Sequence, residues 1–222
     1  MRKMIFMLGA LTLSGTAFAK KGAKGVADKK SGVRVKLTQN LYDIQNDWQT
    51  VDGDESDKTK TNSFNLLLGG GGRTEVTYLL GNGLELGVIG GVMQASQQFD
   101  GDDVGKGYTY DAGVTAAYNV KAGEMGKFFI QPMVGIGRTS YTPDGGDESL
   151  TKDLWFGGAA GLRVKLFKRV TFDPQLEYMQ RNSSFFFDGD AIELPNEDGE
   201  LTDDVEGKRS NMGIRWGLTV ML

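Results

Sequence analysis

The residues of this chain that could do chemistry are its carboxylates, because the 222-residue sequence contains no His and no Cys. Imidazole bases, thiolate nucleophiles, disulfides and thiolate metal sites are therefore excluded. The best remaining pair for acid–base work is Asp173 and Glu177, which share one side of a predicted strand. Both carboxylates are explained more simply as members of ion pairs inside the fold. The sequence therefore predicts a protein that is not an enzyme and has no cofactor.

Three clusters of acidic residues raise the question of calcium. They comprise Asp52, Asp54 and Asp57, then Asp100, Asp102 and Asp103, and then the acidic residues between 197 and 204. No stretch reproduces the calcium loop of an EF-hand with its closing Glu. We expect solvated connections that bind divalent cations weakly at most, and we predict no metal site. With a net charge of −4 and no sustained basic segment, the chain is not expected to bind nucleic acid.

The N-terminal segment has the layout of a secretory signal peptide. Arg2 and Lys3 precede the apolar run 4–13, and Ala17 and Ala19 form a small-residue cleavage site. The run is too short for a membrane-spanning helix, which needs about 20 apolar residues. We predict a signal peptide at 1–19, a basic flexible lead-in at 20–31 and a single domain at 32–222.

Beyond residue 30 the hydrophobic pattern has a period of two, which indicates β-strands. In 153–167, Leu154, Leu162 and Val164 alternate with Asp153 and Arg163. The same alternation marks eight candidate strands, at 33–48, 62–80, 84–98, 108–120, 128–141, 153–167, 170–185 and 211–222. One face of the predicted sheet is apolar, and the other is small or charged.

The predicted connections are alternately short and long, as in outer-membrane barrels. The short ones are 81–83, where Asn82-Gly83 favours a primed turn, 121–126 and 167–169. The long ones are 49–61, 99–107, 142–152 and 186–209, which together hold 19 of the 29 acidic residues. The pattern predicts an all-β fold, a single eight-stranded antiparallel up-and-down transmembrane β-barrel. Both termini lie at its short-turn, periplasmic end, and the acidic loops are extracellular.

Inside such a barrel the polar face must fill a narrow space, because the apolar face meets lipid. The charged residues predicted to point inward are Arg34, Lys36, Arg73, Arg163, Lys165 and Arg215 with Glu75, Glu85, Asp111, Asp173 and Glu177. Buried charges need partners, and this set is nearly balanced. We therefore expect an interior closed by salt bridges. Inward Leu67, Leu79 and Ile89 and the glycine-rich strands leave a narrow channel for small or hydrophobic solutes as the alternative.

Two stretches carry a resemblance to a known group of proteins. The first is 76–87, in which Tyr78 precedes the short turn and Leu84-Glu85-Leu86-Gly87 follows it. The second is 215–222, with Arg215, Gly217, Val220 and a final Leu222 where Phe is usual. The chain resembles the small outer-membrane barrels typified by the membrane domain of OmpA, OmpX and the OmpW-like proteins. The resemblance implies that the second stretch is the signal read by the barrel-assembly machinery.

These patterns together predict a bacterial outer-membrane protein. The expected role is structural or in surface interaction, through the acidic loops. Outer-membrane lipid and lipopolysaccharide are the expected partners, with the barrel-assembly machinery during insertion. A soluble periplasmic β-sandwich is the remaining alternative, but it would expose Leu84, Leu86, Val88 and Leu162 to water.

Overall fold

The computed structural model describes residues 31–52, 54–64, 72–99, 102–122, 126–143, 146–195, 201–203 and 205–222. The predicted signal peptide and all but the last residue of the lead-in lie outside these ranges. The strands are β1 Gly32–Val51, β2 Asp54–Phe64, β3 Arg73–Leu79, β4 Leu84–Phe99, β5 Asp102–Lys121, β6 Gly126–Pro143, β7 Ser149–Phe167, β8 Val170–Phe187, β9 Asp190–Ala191, β10 Leu194–Pro195, β11 Leu201–Thr202 and β12 Val205–Met221. No helix in the described ranges is long and apolar enough to cross a membrane.

Eight antiparallel strands form a closed ring in the order β12, β1, β3, β4, β5, β6, β7 and β8, and β8 pairs back with β12. The closing pair β1–β12 runs from Arg34 opposite Met221 to Val51 opposite Val205. Closure leaves none of these eight strands as an unpaired edge, while β2 pairs with β1 alone among the described strands. The predicted eight-stranded up-and-down topology is confirmed. The sandwich alternative is wrong, because these eight strands belong to one continuous sheet.

The second position of the ring is shared by two strands. β3 pairs with the first part of β1, and β2 pairs with its second part, from Tyr42 opposite Phe64 onward. The prediction of one strand over 62–80 was therefore too simple. A register shift between Asn40 and Tyr42 marks the change of partner. Because the shift reverses the alternation, Asp43 is buried on the same side of the sheet as Arg34.

The four connections predicted to be long are largely strand. β2 occupies most of 49–61, β5 begins at Asp102, and β12 begins at Val205. The hydrogen bonds of an antiparallel ladder join backbone groups and do not require apolar side chains. The ladder therefore continues into these polar segments, beyond the end of the apolar pattern. The ring is consequently extended at this end by polar strand segments rather than by open loops.

Tight turns occur at both ends of the ring. In the predicted turn 81–83 only Gly83 has positive φ, at 88°, so the link is not the primed two-residue turn that was expected. Gly83 N–H instead donates to Leu80 O at 3.1 Å, and Leu84 N–H donates to Asn82 Oδ1 at 3.1 Å. The left-handed pair is Asp188-Gly189, with φ of 49° and 92°, which connects β8 to β9. This Asp-Gly pair is the one with the φ signs of a type I′ turn.

The two faces of the sheet differ as the alternation requires. Outward side chains such as Leu37, Val88, Val114, Ile130 and Leu176 are exposed, although they are apolar. The aromatic residues on the outward face are also accessible: Tyr78, Tyr118, Phe128 and Tyr178 are exposed, while Phe172 and Trp216 are half-buried. The inward face holds the buried polar residues and an apolar cluster of Ile89, Phe129, Met133, Trp155, Ala159 and Met179. The ring is therefore polar inside and apolar outside.

Candidate functional site

The interior of the ring is the candidate site, because it gathers charged side chains away from water. The buried ones are Arg34, Lys36, Asp43, Arg73, Glu75, Glu85, Arg163, Asp173, Glu177 and Arg215. Their alternation with outward apolar residues places them on the same face of their strands. All of them except Asp43 belong to ion-pair groups, each centred on one or two carboxylates.

The first group is centred on Glu85, just beyond the turn at 81–83. Its carboxylate accepts hydrogen bonds from Arg34 and Arg163, from Asn119 Nδ2 at 2.8 Å and from Thr77 Oγ1 at 3.3 Å. Arg163 also lies 3.5 Å from Asp173, measured from Nε to Oδ2. Two carboxylates and two guanidinium groups thus neutralise each other here.

Asp173 has two further donors. Thr171 and Thr219 both donate to it at 2.7 Å, one to each carboxylate oxygen. The Asp173 side chain is fully buried. Its oxygens are therefore committed to local partners.

The second group is centred on Glu75. Lys36 Nζ lies 3.1 Å from Glu75 Oε1, and Gln131 Nε2 donates to Glu75 Oε2 at 2.6 Å. Lys36 also donates to Gln131 Oε1 at 3.2 Å and to Gln175 Oε1 at 2.7 Å. The two amides extend the ion pair across the interior, since they come from β6 and β8.

The third group is centred on Glu177. Arg73 donates to Glu177 Oε2, and Arg215 Nε lies 2.9 Å from Glu177 Oε1. The catalytic candidates Asp173 and Glu177 therefore belong to different groups, each with its own cation. This arrangement is that of structural ion pairs, in which each carboxylate lies against an arginine of its own group.

A fourth group was only partly anticipated. Arg181 donates to both oxygens of Asp111 at 2.8 Å, and to Asp153 Oδ2 at 3.2 Å. Ser183 donates to Asp153 Oδ1 at 2.6 Å. Asp111 was predicted to point inward, but Arg181 and Asp153 were missing from the set. The alternation along β8 could have identified Arg181, because Arg181 lies on the same face of the strand as Asp173 and Glu177.

Lys165 is the predicted member that the structure places elsewhere. It has the same parity as Arg163, yet it is exposed and belongs to none of the four groups. Lys165 lies near the end of β7, where the register shifts between Lys165 and Phe167. Its ammonium is therefore at the rim rather than in the interior.

Of the three apolar residues suggested for a channel lining, Leu79 and Ile89 are buried, and Leu67 lies outside the described residues.

Trp155 fills the interior beside the Glu177 group. It is 1% exposed and packs in the cluster with Phe129 and Met179. A Cβ added to Gly113 or Gly135 would lie 2.5 Å and 2.3 Å, respectively, from atoms of the Trp155 ring. Two neighbouring strands thus lack side chains where the indole lies, which leaves no free space between the ring and the wall.

We expect Gly135→Ala to lower the free energy of unfolding by about 1–3 kcal/mol, because the methyl group overlaps both the indole and the backbone oxygen of Ala112. The measurement is the urea midpoint of the protein folded in lipid vesicles. Gly158→Ala is the matched control, since its methyl group would meet nothing closer than 3.4 Å. Equal midpoints for the two variants would show that the indole is not held against this wall.

The interior has another polar region on the far side of Arg181. Arg209 Nε lies 2.6 Å from Asp47 Oδ1, and Asn211 donates to Asp43 at 2.9 Å. A cavity of about 260 Å³ opens here, lined on its inner side by Asp47, Thr139, Asp153, Phe185 and Arg209. The ring is therefore filled at one end and cup-shaped at the other.

The four residues of the predicted assembly signal have mixed environments in β12. Arg215 is buried in the Glu177 group, and Gly217 faces Lys36, whose Cε would be 3.1 Å from an added Cβ. Val220 and Leu222 are exposed. Two of the four therefore serve the interior, and two lie on the outer face.

The acidic clusters are mostly outside the described side chains. Among the side chains that the structure describes, no group of three His, Cys, Asp or Glu residues could hold a metal ion. Asp52 is described and has a left-handed backbone, with φ of 51°. The suggested weak binding of divalent cations remains a prediction.

No family model matches the chain, and no curated protein matches it in sequence. Among solved structures, Neisserial surface protein A aligns over 87% of this chain and 99% of its own, with a TM-score of 0.50 and 16% identity. Ail of Yersinia pestis aligns over 84% and 98%, with a TM-score of 0.36 and 17% identity. OprG of Pseudomonas aeruginosa aligns over 89% and 100%, with a TM-score of 0.44 and 10% identity.

At these identities the comparisons bear on fold alone. The match to Neisserial surface protein A extends over almost the whole of both chains. The closed ring described above therefore has the fold of the small eight-stranded outer-membrane barrels.

Proposed function

We propose that this chain is a bacterial outer-membrane barrel with a closed interior, which acts through its outer surface and not as a pore. The observation that carries the proposal is the filled interior. The groups at Glu85, Glu75 and Glu177 and the Trp155 cluster draw side chains from β1, β3, β4, β6, β7, β8 and β12 into the same space. An eight-stranded barrel is just wide enough for side chains to fill it.

The outer face supports a membrane location. Exposed apolar side chains follow one another on alternate positions of the strands, for example Ile130, Val134 and Ile136 on β6. In water such a surface would promote aggregation, whereas in a bilayer it meets acyl chains. Closure of the ring also satisfies the backbone hydrogen bonds that a bilayer cannot satisfy.

The proposed orientation follows from the turns. Leu222 N–H donates to Val33 O, and Met221 N–H donates to Arg169 O in the short β7–β8 link. Both ends of the described chain are therefore at the short-turn end of the ring, which we assign to the periplasm. The extended polar strands and their acidic connections then face outward from the cell, where lipopolysaccharide and divalent cations are the proposed partners. The assembly machinery would read 215–222.

The proposed role is not enzymatic. Asp173 and Glu177 are the inward carboxylates closest in sequence on one strand, and each is neutralised by Arg side chains. A general base needs a carboxylate with access to substrate. Neither one has such access in the filled part of the ring.

The protein refolded into a planar bilayer should give no discrete conductance steps, because the ion-pair groups leave no continuous path for water. Single-channel recording is the measurement, and heat-modifiable mobility on gels is the check that the protein has folded. Reproducible steps from folded protein would contradict the closed interior. They would favour the second candidate, a narrow channel, for which the 260 Å³ cavity at the open end is the supporting feature.

A further inference from the structure

On four strands the outward-facing residues change from apolar to basic. Passing toward the long connections, the outward residues of β6 are Val134, Ile136 and then Arg138, and those of β7 are Phe156, Leu154 and then Lys152. On β5 the first charged outward residue after Val114 and Tyr110 is Lys106, and on β12 the first after Ile214 and Met212 is Lys208. We name these four residues, Lys106, Arg138, Lys152 and Lys208, the basic collar. The first charge beyond the apolar surface is positive on every one of these strands, although the chain is acidic overall.

Two members of the basic collar, Lys152 and Lys208, lie on the strands on either side of β8, and Arg138 lies one strand farther away. Arg138 is opposite Lys152 in the β6–β7 register, Lys152 is opposite Ser184 on β8, and Lys208 is opposite Asn182 on the other side of β8. β8 itself carries only uncharged polar residues outward at this level. The cations therefore surround a neutral strip that can donate and accept hydrogen bonds.

A cavity of about 320 Å³ lies on this strip. Its outward lining consists of Lys152, Leu154, Asn182, Ser184 and Glu206. The carbonyl oxygen of Asn182 accepts no hydrogen bond from the described part of the chain. The cavity thus combines a cation, an apolar edge, a hydroxyl, an amide and a carboxylate.

The three cations near this neutral strip have only weak interactions with other side chains. Arg138 lies 3.7 Å from Glu148, and Lys208 lies 3.9 Å from Glu206, with exposed side chains in both pairs. Lys152 has no carboxylate within 4 Å among the described side chains, and its Nζ instead lies 4.0 Å from the centre of the Phe186 ring. Exposed ion pairs of this kind contribute little to stability. The side chains can therefore turn to an external anion at small cost.

We propose that this strip binds the phosphorylated sugar headgroup of an outer-leaflet glycolipid, and this inference rests on the membrane location proposed above. Phosphate is the complementary anion for Arg138 and Lys152, since Arg and Lys are the usual phosphate ligands. The sugar hydroxyls find partners in Asn182, Ser184 and Glu206. Leu154 and the apolar surface below it then continue along the acyl chains.

The test uses full-length protein refolded in neutral detergent and titrated with fluorescent bisphosphorylated lipid A. We expect Arg138→Gln with Lys152→Gln to weaken binding by about tenfold or more, since both cations near the lipid phosphates would be lost. Removal of the phosphates from the lipid should cause a similar loss with the unaltered protein and little further loss with the double variant. The matched control is Lys165→Gln with Lys168→Gln, which removes two exposed charges at the short-turn end.

Three results would overturn the assignment. The double variant could bind as tightly as the unaltered protein, the control could lose as much affinity, or phosphatidylglycerol could bind as tightly as lipid A. The last result would mean that any anionic lipid suffices and that the sugar is not recognised. Insertion of the unaltered protein into vesicles is measured separately, by heat-modifiable mobility. Failure to insert would count against the proposed function, whereas insertion without lipid A binding would count against this inference alone.

Discussion

Replacing Glu85 by alanine will destabilise the barrel by about 3–5 kcal/mol, because the change leaves two buried guanidinium groups without their shared carboxylate. Arg34 and Arg163 both donate to Glu85, and all three side chains are less than 10% exposed. Asp173 can compensate only in part, since it lies 3.5 Å from Arg163 and is already bonded to two threonines. The measurement is the urea midpoint in lipid vesicles.

Glu148→Ala is the matched control for this prediction. Glu148 is also paired with an arginine, Arg138, but both side chains are about half exposed and 3.7 Å apart. An exposed pair contributes about 0–1 kcal/mol, so this variant should unfold close to the unaltered protein. If both variants had the same midpoint, the Glu85 group would not be a buried, water-free ion-pair cluster.

Trp155→Ala should destabilise the protein by about 3–5 kcal/mol, the usual loss for a large aromatic side chain in a packed interior. The glycine-lined wall beside the ring cannot move in to fill the space, because Gly113 and Gly135 have no side chains to rearrange. A cavity would remain between the rest of the apolar cluster, which includes Phe129, and the fourth ion-pair group, which contains Arg181. Denaturant unfolding gives the change in stability, and tryptophan emission reports the loss of the buried fluorophore.

Trp216→Ala removes the same side chain from the other face of the sheet. Trp216 points outward and is half-buried, with its ring centre 6.4 Å from that of Phe172. Lipid acyl chains can occupy the space it leaves, so we expect a loss of about 1 kcal/mol, as for one aromatic contact. A larger loss for Trp216→Ala than for Trp155→Ala would reverse the assignment of the two faces.

The topology was predictable because alternation with a period of two is strong wherever one face is apolar. It located the strands that contain Leu154 and Met212 and gave the correct phase for Arg163 and Glu177. It was less informative where the apolar face ends. There the polar segments of β2 and the start of β5 continue the ladder without an amphipathic signal, and the pattern assigned them to loops.

The interior could be predicted as a set of residues but not as a set of pairs. Parity assigns Glu75, Glu85 and Glu177 to the same face. Only the relative stagger of the strands determines which of the three meets Lys36. The inward position of Asp43 depends on the register shift at Asn40, for which the sequence offers no distinct signal. For Lys165 the alternation gives the correct face of the strand. It does not show how close the residue lies to the end of the barrel, where Lys165 is exposed.

The seam between β1 and β12 has a consequence for how the fold is acquired and lost. It joins the first described strand to the last, from Arg34 opposite Met221 to Val51 opposite Val205. Pairings between residues so distant in sequence give a high contact order, and chains of that kind fold slowly. Opening the ring at this seam would break the whole ladder between Arg34 and Val51, which adds to the barrier for unfolding as well. The lifetime of this protein in the membrane is therefore set by a rate as much as by an equilibrium.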